Sequence, residues 1–203
     1  EGFLDYDQLI SDYWPEFSKN GKENMTLRHI LSHQSGLFDI RNIIETASEM
    51  ADWQHMLAVM ENAQPRFEVA KYHAYQALTF GWLVGGVLEK ATKQPLSVLM
   101  QKYLVEPLEL DGAFFGVTED QLSRVAKPIA KPKPPQQEQQ KPEGSKKAKL
   151  KKAPKTNFAD KLLQYSGQDP QDFVDAMIPK AMRDFSFFDD AVIQSCIPAA
   201  NGA

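Results

Sequence analysis

Hydroxyls, imidazoles and phenols gather at two places in this chain, Ser32-His33-Gln34-Ser35-Gly36 and Tyr72-His73-Ala74-Tyr75-Gln76-Ala77. A serine beside a histidine invites a nucleophile-and-base reading. His33 and Ser35 are only a local pair, however, and no carboxylate is placed to orient the imidazole. The four histidines, at positions 29, 33, 55 and 73, are not spaced as metal ligands. His29 and His33 share a helical face, but Ile30, Leu31 and Ser32 stand between them, where a zinc hydrolase motif carries its Glu. No metal and no cofactor is expected. Gly81, Gly85 and Gly86 lie in an apolar stretch with no Gly-Lys-Ser/Thr after it, so they read as points of close helix packing rather than a phosphate loop. Cys196 is the one cysteine; it excludes an internal disulfide framework and reads as a small buried residue.

The elements that must position these groups read mostly as short helices. Asp5 is placed to cap a helix carrying Leu9, Ile10 and Tyr13, stopped near Pro15. Thr26 caps a turn over Leu27–Leu31, with Gly36 as its left-handed terminator. Asp52 precedes Trp53, Met56, Leu57 and Met60, whose 3–4 spacing makes one buried helical face. Tyr75–Glu89 and Leu96–Leu104 read as two more helices, separated by Thr92-Lys93-Gln94-Pro95, and Gly112–Val117 reads as a short strand. Near the end, Asp169-Pro170 predicts a cap with proline at the first helical position, followed by Phe173, Val174, Met177 and Ile178 on one face.

Charge divides the chain. Residues 127–155 hold ten Lys, no Arg and only two acidic residues, while the rest carries 13 Lys and Arg against 25 Asp and Glu. Six prolines and runs of Gln and Lys fill the basic stretch, which cannot bury enough apolar surface to offset its ordering entropy. Three parts are expected: residues 1–126, a disordered insertion at 127–156, and a continuation of the first part at 157–203. The insertion has no aromatic residue to stack on bases and reads as a spacer, so no nucleic-acid partner is expected. The longest apolar run, Leu78–Leu88, is about half of the ~20 residues a bilayer span requires. No signal-like segment is present, and the compartment and oligomeric state are left open.

Thr26-Leu27-Arg28-His29-Ile30-Leu31-Ser32-His33-Gln34-Ser35-Gly36-Leu37 resembles the "T-hydrophobic-R-x-L-L-S-H-x-S-G-L" pattern of serine β-lactamase-related proteins, which join class C β-lactamases, DD-peptidases and family VIII esterases. Four further stretches match in order. Pro15-Glu16-Phe17 is similar to the "P-E-F" ahead of that pattern, and Tyr75 to Gly85 to "Y-H-A-x-T-x-G-W-L-x-G". Glu106 to Gly116 is similar to "x-P-L-G-M-x-x-T-x-F-G", and Pro198-Ala199-Ala200-Asn201-Gly202 to a "P-A-A-N-G" segment. The resemblance implies an α/β (α+β) fold of β-lactamase/transpeptidase type, with this chain supplying mostly the helical domain and few strands. It also implies that the loop around Ser35 is structural.

The resemblance implies acyl transfer through three parts: a Ser-x-x-Lys nucleophile, a Tyr that shares the base role, and a Lys-Thr-Gly or His-x-Gly strand. No Ser in the sequence has Lys three residues on; Lys155-Thr156-Asn157 lacks the glycine, and no His precedes Gly by two. The missing parts are expected to lie ahead of Glu1 and after Ala203, leaving no nucleophile in this chain and no activity in it alone. The tyrosine is present, and two residues compete. Tyr72-His73-Ala74 reproduces the letters, whereas Tyr75-Gln76-Ala77 reproduces the spacing to Gly81-Trp82 and Gly85, which favours Tyr75 with Tyr72 as the alternative. Ala stands where true β-lactamases carry Asn, which points to a small ester or amide rather than a penicillin. A phenol of pKa ~10 would need a nearby cation to act as a base at neutral pH. The alternative function is a non-catalytic binding or assembly module.

Overall fold

The computed structural model describes residues 2–126, 170–177 and 179. The helices run in the order α1 (Ile10–Tyr13), α2 (Leu27–Leu31), α3 (Ile40–Ile43), α4 (Trp53–Asn62), α5 (Thr79–Thr92), α6 (Leu96–Met100) and α7 (Pro170–Met177). Single 3-10 turns lie at Pro15–Phe17, Ala47–Ala51 and Glu119–Arg124, and α6 runs on into a π-turn over Gln101–Val105. Among the described residues there is no strand, only an isolated antiparallel bridge between Leu9 and Thr26. The expected insertion at 127–156 lies outside the described residues. So does the 157–203 continuation apart from α7 and Pro179, and with it the Asp169 cap and the side chains of Phe173, Val174, Met177 and Ile178.

Helix α5 is the post around which the rest is built. It buries Thr79, Gly81, Trp82, Leu83, Gly85, Gly86 and Val87. The two later glycines are where neighbours come closest. A Cβ on Gly85 would fall 2.7 Å from the Trp53 ring and 2.9 Å from Leu96, and one on Gly86 would fall 2.6 Å from the Trp14 ring and 2.9 Å from Leu57. Packing of this kind leaves the indole N–H groups needing partners inside the fold. Trp14 Nε1 donates to Glu61 Oε1 at 2.7 Å, and Trp53 Nε1 donates to Glu89 Oε2 at 2.8 Å. Glu89 Oε1 also accepts from the Leu96 amide at 2.7 Å, so one carboxylate ties α4, α5 and α6 together.

Helix α4 forms as its spacing predicts. Asp52 caps it, accepting from the His55 amide at 2.9 Å, and Trp53, Met56, Leu57 and Met60 are buried. Its far end is closed by a residue forty positions away in sequence. Lys22, almost fully buried, donates Nζ to the carbonyls of Glu61 at 3.0 Å and Ala63 at 2.5 Å, meeting the negative end of the helix dipole. Burial lowers the Lys22 pKa from its ordinary 10.5 to about 8.

Three local expectations give way to the structure. Leu9, not Asp5, precedes α1; Asp5 instead accepts from the Asp7 amide at 2.8 Å, in a turn that leaves Asp7 to grip Arg28 through two bonds of 2.6 and 2.8 Å. Gly112–Val117 is bends and coil, because no neighbouring strand among the described residues is there to take its backbone groups. The residue that ends α2 is His33 rather than Gly36. With φ of 58° it occupies the left-handed position, its amide bonding Ile30 O at 3.0 Å while the Gln34 amide bonds His29 O at 2.7 Å. That pair of bonds is the Schellman arrangement, which a histidine adopts less readily than glycine.

Candidate active site

The loop after α2 and the segment before α5 are laced together by backbone hydrogen bonds. The carbonyls of Gly36, Gln34 and His33 accept from the amides of Arg66 (2.9 Å), Ala70 (3.0 Å) and Ala74 (3.0 Å). The Leu37 carbonyl accepts from the Thr79 hydroxyl at 2.6 Å. The Gln76 amide donates to His33 Nδ1 at 3.3 Å. Gly36 itself has φ of 74°, and a Cβ there would stand 2.9 Å from Phe67 O and 3.0 Å from Pro65 Cβ. The "S-H-x-S-G-L" stretch is thus a cradle for residues 65–79, the segment that carries both candidate tyrosines.

Neither tyrosine is on a helix. The stretch expected to be helical from Tyr75 begins its helix at Thr79 and continues to Thr92. The amides of Ala74 and Gln76, two residues apart, both turn to His33, as extended chain allows and a helix does not, and the first helical bond runs from the Phe80 amide to Gln76 O. In the extended stretch that results, exposure alternates. Ala74 is buried against Phe38 and Ala176, Tyr75 is 49% exposed, and Gln76 is 1% exposed. The Tyr75 ring meets the His33 imidazole edge-on at 5.0 Å. Tyr72, 58% exposed, meets Phe67 edge-on at 5.7 Å, and Lys71 Nζ lies over its ring at 5.9 Å while pairing with Glu68 at 3.8 Å.

The remaining candidates have structural partners. Ser35 is fully buried, and its Oγ accepts from the Leu37 amide at 3.0 Å. Ser32 Oγ donates to Arg28 O at 2.7 Å. His29 Nδ1 accepts from the Thr26 amide at 3.1 Å, which closes the α2 cap, and burial lowers its pKa. His33 is likewise lowered, by burial first, with a side-chain hydrogen bond to Gln76 opposing the shift and His73 adding to it. His29 and His33 therefore point to different partners, and no group of three His, Cys, Asp or Glu residues placed to hold a metal occurs among the described residues. Nor is any described helix long and apolar enough to cross a membrane.

Sequence reasoning missed three features here. Arg66 donates to the buried Asp39 at 2.6 Å, and Asn42 donates to the same carboxylate at 2.9 Å. Arg41 stands 3.8 Å from Asp175, joining α3 to α7. A pocket of about 590 Å3 between α3 and α4 is lined by Asp39, Asn42, Ile43, His55, Val59 and Arg66 among others, and by neither tyrosine. All three depend on contacts between residues far apart in sequence, which leave no local pattern.

The cradle, the Tyr75 segment and the glycine-packed helix together form the helical part of a β-lactamase/transpeptidase-like fold. The beta-lactamase family model matches residues 1–201, and the chain belongs to that family. It is 36% identical over 115 residues to the esterase/beta-lactamase LipL of Mycobacterium tuberculosis (strain ATCC 25618 / H37Rv), covering 57% of this chain and 26% of that protein. Against a beta-lactamase of Providencia stuartii the identity is 28% over 121 residues, covering 60% of this chain and 30% of the relative. Among solved structures, a penicillin-binding protein homologue from Caulobacter crescentus is similar at TM-score 0.56 and 32% identity, covering 65% of this chain and 36% of that one. A family VIII carboxylesterase is similar at TM-score 0.57 and 30% identity, covering 63% and 35%. The chain thus spans about a third or less of the length of these relatives.

Proposed function

We propose that the protein carrying this chain cleaves a small ester or amide through an acyl-enzyme, and that Tyr75 shares the base role at its active site. The observation that supports this is the placement of Tyr75: half exposed, between two buried neighbours, on a segment laced to the cradle. Tyr72 is also exposed, but its ring contacts are Phe67 and an exposed Lys71 already paired with Glu68. Ala77 in place of an amide side chain favours an ester, and two relatives carry esterase names. A phenolate, kept ionised by a nearby cation, takes the proton of a serine nucleophile as that serine attacks the carbonyl, and the resulting phenol returns the proton to the leaving group.

In this proposal the nucleophile is a serine outside the present sequence, since none here has Lys three residues on. The 203-residue chain alone is then inert. A fluorophosphonate probe followed by peptide mapping checks this, and a stoichiometric adduct on Ser32 or Ser35 would overturn it. In the full-length protein, Tyr75→Phe lowers kcat by about 10²- to 10⁴-fold, the usual worth of a positioned acid-base group. Its unfolding midpoint stays near wild type, because the ring and its contact with His33 remain. Tyr72→Phe leaves kcat near wild type. The opposite pattern would assign the role to Tyr72, and full activity in both variants would favour a non-catalytic module.

A further inference from the structure

Both residues that flank Tyr75 are held by the same residue. The Ala74 amide donates to the His33 carbonyl at 3.0 Å, the Gln76 amide donates to His33 Nδ1 at 3.3 Å, and the His33 ring meets Tyr75 itself at 5.0 Å. His33 offers its carbonyl and its ring to one strand of chain because it sits in the left-handed position that ends α2, with φ of 58°. Turn geometry does not ask for an imidazole there. Glycine fits a left-handed helix terminus without steric cost, whereas a residue with a Cβ is strained by it. Such an outlier next to a candidate site points from structure to function. The far wall of the ring is Phe80, at 5.3 Å, so the imidazole is wedged between the Tyr75 segment and the first turn of α5.

We propose that His33 is a positioning residue for the active site: its neutral imidazole acts as a hydrogen-bond acceptor that fixes the backbone on either side of Tyr75, and so the place of the phenol. The inference rests on the reading of Tyr75 as a base. Nδ1 has a lone pair for the Gln76 amide only in the neutral ring with the proton on Nε2. Protonation places an N–H against an N–H, and the clamp opens. Burial, which holds His33 below the ordinary histidine pKa, keeps the clamp closed at neutral pH. The titratable groups facing the ring are His73 and Tyr75 on the segment packed against it, and α5 presents the neutral Phe80.

The test uses the full-length protein with His33→Gly and His33→Asn, read by residue-resolved hydrogen exchange and by kcat and KM. Glycine keeps the turn and removes the acceptor. Asparagine tolerates the left-handed position and puts Oδ1 near where Nδ1 stood. In His33→Gly, exchange at the Gln76 amide accelerates about tenfold or more while the thermal midpoint holds, and kcat falls about 10- to 100-fold with KM little changed. His33→Asn recovers both, and its kcat no longer falls on the acid side through a histidine titration, because an amide has no proton to gain. In the wild type, Gln76 protection is lost as pH falls through the His33 pKa, a measurement that stands even where a variant fails to fold. Unchanged Gln76 exchange in His33→Gly, or protection in the wild type that ignores His33 protonation, overturns the clamp. Faster exchange with wild-type kcat overturns the positioning role. Failure of the Tyr75 reading shows separately, as full activity of Tyr75→Phe alongside an intact exchange result.

Discussion

Replacing Gly36 with alanine strikes the point where the cradle and the tyrosine segment come closest, and Gly21 supplies the control. Both residues have positive φ, 74° and 85°, so an added Cβ is strained at either one. Around Gly21 nothing lies within 4 Å of the new methyl, and Gly21→Ala therefore costs about 1 kcal/mol, the left-handed penalty less the gain from a stiffer unfolded chain. At Gly36 the methyl would meet Phe67 O at 2.9 Å, Pro65 Cβ at 3.0 Å and the Arg66 amide nitrogen at 3.4 Å. Two of those atoms are backbone, which cannot rotate away, so overpacking adds about 1–3 kcal/mol. The total expected for Gly36→Ala is about 2–4 kcal/mol. Urea unfolding of both variants measures the difference, and the Arg66 and Ala70 amides should exchange faster in Gly36→Ala because their acceptors, Gly36 O and Gln34 O, are pushed away. If the two variants lose stability equally, the 65–79 segment is not rigidly seated on the cradle, and the account of how Tyr75 is placed fails with it.

Substitutions at two further residues probe the support of the site. Glu89→Ala removes the acceptor shared by Trp53 Nε1 and the Leu96 amide and should cost about 2–4 kcal/mol in chemical denaturation, with Glu89→Gln milder because one oxygen survives; equal losses for Ala and Gln would refute the shared-acceptor account. Lys22 has a folded pKa of about 8 against an ordinary 10.5, so between those values the unfolded chain holds more of this proton. Its contribution to stability should therefore rise from pH 8 toward 10.5 and be lost as pH falls through 8. Unfolding free energies at pH 8 and pH 10 should show this rise in wild type and not in Lys22→Met, and identical slopes would rule the linkage out.

What the sequence determined by itself lies within reach of a single turn of chain. Asp52 and the four apolar residues after it specify α4 because a cap and a 3–4 stripe are local properties, and Thr26 places the start of α2 for the same reason. Gly85 and Gly86 of α5 were legible as packing points because only close neighbours make adjacent glycines in an apolar helix worthwhile. The family was legible from ordered motifs, and the matching of residues 1–201 agrees with it. The start of α5 was not legible. Tyr75–Leu78 has a helical pattern, but the amides of Ala74 and Gln76 both find acceptors on His33, about forty residues earlier, and amides two residues apart reach one partner from extended chain rather than from a helix. The burial of Lys22 against the end of α4 has the same origin, a partner about forty residues away. In each case the decisive partner is a carbonyl or ring brought up by the closure of a long loop, and such a partner exists only once the tertiary structure has formed.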